Sequence, residues 1–180
     1  MKKIIAILAV TLISQTIFSQ GIFDKFENQN DVSSLVVTKS MFKLMSKIDL
    51  SSDDPEAQSY LKMVENLEDI KIFTTGNSDK ASDMKRTVEN YLKSTTSLSE
   101  LMRVNDDGQN IRFYVKEGKN DNYVSELFMF MEDSTSSDSK AVIMSITGNI
   151  DLRQISQLTA DLKVPGSEQL KDIDKKKTNK

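Results

Sequence analysis

Two long apolar segments in the second half of the chain most constrain what it can fold into. They run from Tyr123 to Met131 (YVSELFMFM) and from Ala141 to Gly148 (AVIMSITG). Neither shows the strict alternation of apolar and polar residues that is typical of a strand with one face in water. We therefore predict that both form central strands of a sheet that is covered on both faces.

A polar link predicts a β-hairpin just before these segments. The runs from Leu98 to Val104 and from Ile111 to Lys116 flank the sequence NDDGQN, whose Asp-Gly pair favours a tight turn between antiparallel strands. The second arm alternates, with Ile111, Phe113 and Val115 on one face and Arg112, Tyr114 and Lys116 on the other.

The first half of the chain combines strands with helices. Two strands are predicted, from Val32 to Lys39 and from Ile70 to Thr75. Helical spacing predicts one or two turns at Met41, Leu44, Met45 and Ile48, and a helix from Pro55 to Leu67. It also predicts a helix from Lys80 to about Ser94, whose stripe is Met84, Val88, Tyr91, Leu92 and Thr95. Ser78 or Asp79 is the predicted N-cap of the last helix.

The order of these elements predicts the fold class. A final helix is expected to begin at Asp151, to turn Leu152, Ile155, Leu158 and Leu162 inward, and to end before Pro165. The order β-α-α-β-α-β-β-β-β-α then predicts an α+β fold, with a single mostly antiparallel sheet of about five to six strands and helices packed on one face. Residues 20–163 are expected to form one domain and residues 164–180 a polar, disordered tail.

The first residues have the layout of a secretory signal peptide. Lys2 and Lys3 precede an apolar run from Ile4 to Ile13, and the small residue Ser19 offers a cleavage site. The run is too short to cross a bilayer as a mature helix. We expect residues 1–19 to be removed on export, leaving a soluble periplasmic or secreted protein with no stable membrane anchor.

The composition argues against most familiar catalytic chemistry. The chain has no Cys and no His, so nucleophilic Cys, imidazole bases and His/Cys metal cages are excluded. It also has no hydrolase, phosphate-loop or dinucleotide motif. We expect no enzymatic activity, no cofactor and no metal. The 24 basic side chains fall to 22 when Lys2 and Lys3 are removed, against 27 acidic ones, and this balance argues against nucleic acid as a partner.

Two acidic clusters have ordinary structural explanations. Asn105 to Gly108 resembles the start of a calcium-binding loop, but Lys116 stands where that loop needs a bidentate Glu. A hairpin turn explains this segment better. Asp53, Asp54 and Glu56 surround Pro55 at a helix start, where a cap is a simpler explanation than an acid/base pair or a metal site.

The candidate binding surface is the second face of the hairpin's second arm. Arg112, Tyr114 and Lys116 form an open sheet surface if helices cover only the face of Phe113. The alternative is an amphipathic strand with one solvated side. Tyr60 and Tyr91 lie on helix stripes and are predicted to pack in the core instead.

Two further segments admit a binding role beside a structural one. The run from Phe128 to Met131, with Met144, is either the core of central strands or the lining of a cavity for an apolar ligand. Core packing is favoured, because an exposed run of this kind promotes aggregation. The lysine-rich residues 175–180 could touch anionic lipid, but solvated disorder is the simpler explanation.

Four segments spread along the chain together carry a family resemblance. They are FDKFEN at 23–28, VTKSMFKLM at 37–45, LEDIKIFTT at 67–75 and ITGNIDLRQISQL at 146–158. With these segments the sequence resembles a family of exported Bacteroidota proteins, the domain of unknown function 4252, over nearly the whole mature chain. The resemblance implies no activity and no site residues. Many members resemble lipoproteins, and this chain departs from them because it lacks a lipid-bearing Cys.

These observations predict a non-enzymatic binding or interaction module of the cell envelope, with an envelope protein as its partner. The alternative is a periplasmic carrier of a lipid or other apolar ligand, for which a cavity lined by Phe128, Phe130 and Met144 would be required. An enzyme that uses Asp, Glu, Lys or Tyr is a third hypothesis, and it would require a buried pair of carboxylates with separated pKa values.

Overall fold

The structure is a computed structural model that describes residues 21–45, 47, 58, 61, 64–106, 108–120, 122–133 and 140–151. In this part of the chain, six strands form one open antiparallel sheet. They are β1 (Ser33–Thr38), β2 (Leu67–Thr75), β3 (Leu98–Asp106), β4 (Gln109–Glu117), β5 (Tyr123–Asp133) and β6 (Lys140–Asp151). Two helices, α1 (Lys39–Met45) and α2 (Ser78–Ser94), accompany them, together with a 3-10 turn at Asp24–Phe26.

The strand order is β1-β2-β6-β5-β4-β3, and every neighbouring pair is antiparallel. The connection through α2 crosses from β2 to the far edge strand β3. The meander β3-β4-β5-β6 then returns across the sheet until β6 pairs with β2. As a result, β1 and β3 are the two edges.

The prediction of two central strands is confirmed, since β5 and β6 lie in the middle of this order. Every side chain from Leu127 to Met131 is buried, and so is every side chain from Ala141 to Ile146. Because successive side chains of a strand point to opposite faces, these residues build one hydrophobic cluster on each side of the sheet.

The two clusters have different coverings. On one side, which we call the α2 face, Phe73, Phe128, Phe130 and Ile143 pack with Met84 and Val88 of α2 and with Phe23 and Phe26 of the N-terminal segment. On the other side, the α1 face, Ile70, Phe113, Met129 and Met144 pack in one cluster with Phe42 of α1 and with Val64. The expectation that helices pack on one face is therefore wrong for the described helices. Central strands that are apolar on both sides need a cover on both sides.

The α2 helix differs from its prediction only at its start. Asn77 is the N-cap, and its side-chain oxygen accepts hydrogen bonds from the backbone N–H of Asp79 at 3.0 Å and of Lys80 at 3.2 Å. The predicted caps, Ser78 and Asp79, are therefore wrong, and the helix begins at Ser78 rather than Lys80. The predicted stripe is confirmed at Met84 and Val88, which are buried.

The α1 helix has a different inner face from the predicted one. Met41 and Leu44 are exposed, and the buried side chain is that of Phe42. A helix of two turns places few side chains against a sheet, and the large Phe ring buries more apolar area there than Met or Leu would.

The predicted hairpin is confirmed. Asp106 of β3 pairs with Gln109 of β4, so the link between the two strands is tight, and Gly108 in this link has a φ of 80°. A positive φ at this place is what such turns require, and it is why Gly is favoured there.

Other predictions fall wholly or partly outside the described residues. Gln58, Leu61, Val64 and Glu65 are helical, within the predicted Pro55 to Leu67 helix. The strand β6 continues to Asp151, the predicted start of the final helix, and residues 152–180 lie outside the described part, as do the predicted signal peptide and tail. Among the described residues, no helix has the length and apolarity needed to cross a membrane.

Candidate functional site

The three residues of the predicted binding surface do not form one open surface. Arg112, Tyr114 and Lys116 share a face of β4, as their alternation predicts, but it is the face that α2 covers. Tyr114 is only 8% exposed and packs near Phe128, with 6.2 Å between ring centroids. Arg112 is half-buried and Lys116 is exposed. The condition for an open surface, that helices cover only the Phe113 face, is therefore not met.

The Phe/Met zone is divided between the two faces of the sheet. Phe128 and Phe130 belong to the α2-face cluster, whereas Met129, Met131 and Met144 belong to the α1-face cluster. All five side chains are buried. Phe128, Phe130 and Met144 therefore cannot line a single cavity, and this zone offers the carrier hypothesis no support.

An open strand edge is the first candidate site that the structure reveals. Among the described strands, β1 pairs with β2 alone, and its six residues keep an unbroken register from Ser33 opposite Thr74 to Thr38 opposite Asp69. The sequence of β1, SSLVVT, contains no charged residue and no Pro. An edge of this kind presents unpaired backbone N–H and C=O groups to any strand that can approach.

The opposite edge strand, β3, has charged residues and a bulge, which make pairing with another chain unfavourable. The strand β3 contains Glu100 and Arg103, which form an ion pair at 2.7 Å. Its register with β4 is interrupted by a bulge between Glu100 and Met102. Charges and bulges are the usual means by which edge strands avoid pairing with other chains. The two edges of one sheet thus differ, and only β1 lacks these devices.

Exposed apolar residues accompany the β1 edge. Five large apolar side chains are exposed in the described part of the chain, and four of them fall in β1 and α1: Leu35, Val36, Met41 and Leu44. Because α1 contacts β1 and β2, these four residues lie around the same edge of the sheet.

A polar pocket on the α2 face is the second candidate site. Asp69 of β2 and Glu126 of β5 both pair with Thr147 of β6, so the three residues form one row across the sheet. A bulge precedes each acidic residue, between Leu67 and Asp69 and between Val124 and Glu126. Bulges re-aim side chains and are frequent beside functional sites. We call this the Glu126 pocket; its other walls are Tyr91 of α2 and the segment from Gly21 to Asp24.

A hydrogen-bonded network fixes the floor of the Glu126 pocket. The Tyr91 hydroxyl lies 2.7 Å from Oε1 and 2.8 Å from Oε2 of Glu126, to which it donates, and Ser145 Oγ donates to Oε1 at 3.3 Å. Burial, and then the hydrogen bond and charge of Glu126, raises the pKa of the Tyr91 phenol well above its usual range. The phenol therefore remains a donor to the carboxylate at ordinary pH.

The N-terminal segment is an integral wall of this pocket. The Phe23 ring packs edge-on against Tyr91, with 5.0 Å between centroids, and stacks on Phe128 at 5.3 Å. Asp24 forms an ion pair with Lys71, and Glu27 lies 3.9 Å from the same ammonium group. Lys71, the one basic residue that lines the pocket in the described structure, is thus already neutralised by two carboxylates.

The other candidate groups are a metal cluster and the acidic residues around Pro55. No group of three metal-ligating side chains occurs among the described residues. Asp53, Asp54, Glu56 and Tyr60 lie outside that part of the chain. Sequence reasoning missed both candidate sites. The available clues were polar residues inside the most apolar segments, Glu126 and Ser145, and an uncharged β-branched run at Ser33–Thr38.

Comparison with known proteins gives a family and no activity. No curated protein matches the sequence, and no solved structure matches it either. The family described as Domain of unknown function (DUF4252) matches residues 26–158. This region contains all six strands and both helices, and among the described residues only 21–25 lie outside it. The chain therefore belongs to the DUF4252 family.

Proposed function

We propose that this protein is an exported, non-enzymatic interaction module that binds an extended strand of an envelope protein along the free edge of β1. The observation that carries the proposal is the contrast between the two sheet edges. The β1 edge is regular and uncharged, whereas β3 carries an ion pair and a bulge. Strand addition to an exposed edge is a common mode of peptide recognition, in which backbone hydrogen bonds supply affinity.

The side chains around the edge indicate the chemistry of the partner. Leu35 is 46% exposed and Val36 is 38% exposed, and these neighbours point to opposite faces of the sheet. An added strand would therefore place apolar side chains beside them on both faces, because cross-strand neighbours contact each other. Met41 and Leu44 enlarge the apolar area beyond the strand. The expected partner segment is extended, apolar and uncharged.

The experiment is site-specific photocrosslinking in cells that make the protein. A photoreactive amino acid replaces Val36 in one variant and Arg103 in the matched control, since both are exposed positions on edge strands. We expect position 36 to capture one discrete polypeptide, identified by mass spectrometry, and position 103 not to capture it. No product, the same product from both positions, or only a second copy of this chain would contradict the proposal.

A second pair of variants tests the strand-addition mode. With the photoreactive group at Leu35, Val36→Lys should reduce the crosslinked product about ten-fold, because a charge on an edge strand opposes pairing. Val36→Thr keeps an uncharged β-branched residue and should retain the product. Thermal unfolding of both variants shows whether the fold is intact. Equal products from the two variants would exclude strand addition at this edge.

A further inference from the structure

The Glu126 pocket supports an inference that does not depend on the β1 edge. The pocket has a volume of about 180 Å³, which admits a small molecule only. It opens at the end of α2, where the apolar α2 face gives way to the polar row of Asp69, Thr147 and Glu126.

The charge of the pocket is negative. Glu126 is only 8% exposed, and in the described structure its carboxylate receives hydrogen bonds from the Tyr91 and Ser145 hydroxyls and forms no ion pair. Lys116 of β4 stands opposite Glu126 in the strand register. Among the ion pairs of the described residues, however, the Lys116 ammonium group is not paired with the Glu126 carboxylate. Asp69 adds a second carboxylate, while Lys71 is held by Asp24 and Glu27. A buried carboxylate with neutral partners favours a cationic ligand.

The walls distinguish among cations. The Phe23 and Tyr91 rings line the pocket and contact each other edge-on. Aromatic rings attract organic cations through the charge distribution of the ring, and they also accommodate an alkyl chain. An ammonium group has three N–H donors, and the pocket lining offers the oxygens of Glu126, Thr147 and Asp69 to accept them. A bare divalent metal is less well matched, because Asp24 is already paired with Lys71, Ser145 donates to Glu126, and no group of three metal-ligating side chains occurs among the described residues.

We propose that the Glu126 pocket binds a small primary alkylammonium ion. Its ammonium group is received by Glu126, with Asp69 and Thr147 as further acceptors. Its alkyl chain lies against the Phe23 and Tyr91 rings. Glu126 thereby has two roles, since it also fixes α2 to the sheet through the Tyr91 hydroxyl.

The test is an NMR titration of the full-length protein with n-butylamine at neutral pH. We expect saturable shifts of the backbone signals of Asp69, Glu126 and Thr147. The same titration with 1-butanol, which has the alkyl chain without the charge, should leave these signals unchanged. No saturable shift with n-butylamine, or equal shifts with 1-butanol, would overturn the proposal.

Three variants locate the interaction. Glu126→Gln should weaken n-butylamine binding about ten-fold, since the Gln oxygen still accepts a hydrogen bond but no longer carries the negative charge that attracts the ammonium group. Glu132→Gln is the matched control, because Glu132 lies on the same strand and face but is paired with Lys85 at 2.9 Å, away from the pocket. It should bind as the wild type does. If Glu126→Gln does not fold, Asp69→Asn is the test variant, and its affinity for n-butylamine should be about three-fold lower than that of the wild type. Unchanged affinity in the folded pocket variants would place the amine elsewhere.

Discussion

At the scale of single residues, Gly148 is a position where the backbone accepts no side chain. It has a φ of 142°, and a Cβ there would overlap the carbonyl oxygen of Asn66 and lie 2.8 Å from Leu67 Cα. The Asn149 N–H donates to that same Asn66 oxygen at 2.9 Å, so the two segments cannot separate without losing a hydrogen bond. A glycine is required at this close approach.

We expect Gly148→Ala to lower the free energy of unfolding by about 3 kcal/mol, from backbone strain and steric overlap. Gly76→Ala is the control, because a Cβ at Gly76 meets no atom within 4 Å. It should change stability by less than about 0.5 kcal/mol. Urea unfolding measures both. Similar losses in the two variants would show that Asn66 and Gly148 are not in close contact.

The Tyr91 phenol makes the free energy of unfolding depend on pH in the alkaline range. Its pKa is raised in the folded protein, mainly by burial and then by Glu126. Above pH 10.0, the ordinary pKa of the phenol, the unfolded chain releases the proton while the folded chain keeps it. The free energy of unfolding should therefore be fully retained below that pH and should fall as pH rises further.

Tyr91→Phe tests this expectation. At neutral pH the variant should lose about 1–3 kcal/mol, since the buried Glu126 carboxylate loses a donor. Between about pH 10 and pH 12 its stability should fall less steeply than that of the wild type. Thermal unfolding across this pH range gives both values. If the stability of Tyr91→Phe and of the wild type fell equally with pH, the pKa of Tyr91 would not be raised in the folded protein.

Residue patterns predicted the buried positions better than the candidate sites. Burial follows from the apolar character of a side chain, which is why Phe113, Met84 and Val88 could be assigned from spacing alone. The Glu126 pocket depends on residues from β2, β5, β6 and α2, which are brought together by the strand order. The helix stripe predicts that Tyr91 packs in the core. It does pack there, but its hydroxyl reaches Glu126.

At the scale of elements, the start of α2 depends on one side chain. Asn77→Ala should cost about 1 kcal/mol, because the N–H groups of Asp79 and Lys80 lose their acceptor. Ser78→Ala, at the neighbouring position that sequence alone favours as a cap, should cost less than about 0.5 kcal/mol. Urea unfolding of both variants distinguishes the two assignments. A larger loss in Ser78→Ala would contradict the observed cap.

At this scale the bounds of most elements could be predicted, including those of the short strand β1, which is expected from Val32 to Lys39 and runs from Ser33 to Thr38. The strands β4, β5 and β6 and the helix α2 were anticipated within a few residues, since each buries a well-defined apolar set. The prediction of the inner face of α1 was wrong, because this short segment contains several apolar residues and the sequence does not show which of them contacts the sheet. In the structure the buried residue is Phe42. The uncharged β-branched run of β1 was a clue, but it could not decide that β1 is an edge strand, because such a run is equally typical of a central strand.

At the scale of the whole molecule, the strand order gives the sheet its two unequal edges. The hairpin turns predicted that β3 to β6 are neighbours, because short links join adjacent antiparallel strands. No short-range sequence signal indicates that β2 pairs with β6, since α2, β3, β4 and β5 lie between them and the two strands are more than sixty residues apart. That pairing places β1 at an edge, and the proposed interaction depends on it.

Hydrogen–deuterium exchange tests this central claim most directly, by comparing the free protein with its complex isolated from cells that make it. Backbone amides on an open edge exchange readily, and amides paired with an added strand are protected. We predict that protection rises at Ser33–Thr38 in the complex and stays unchanged in β3. Protection gained at β3 or β4, with none at β1, would contradict the account.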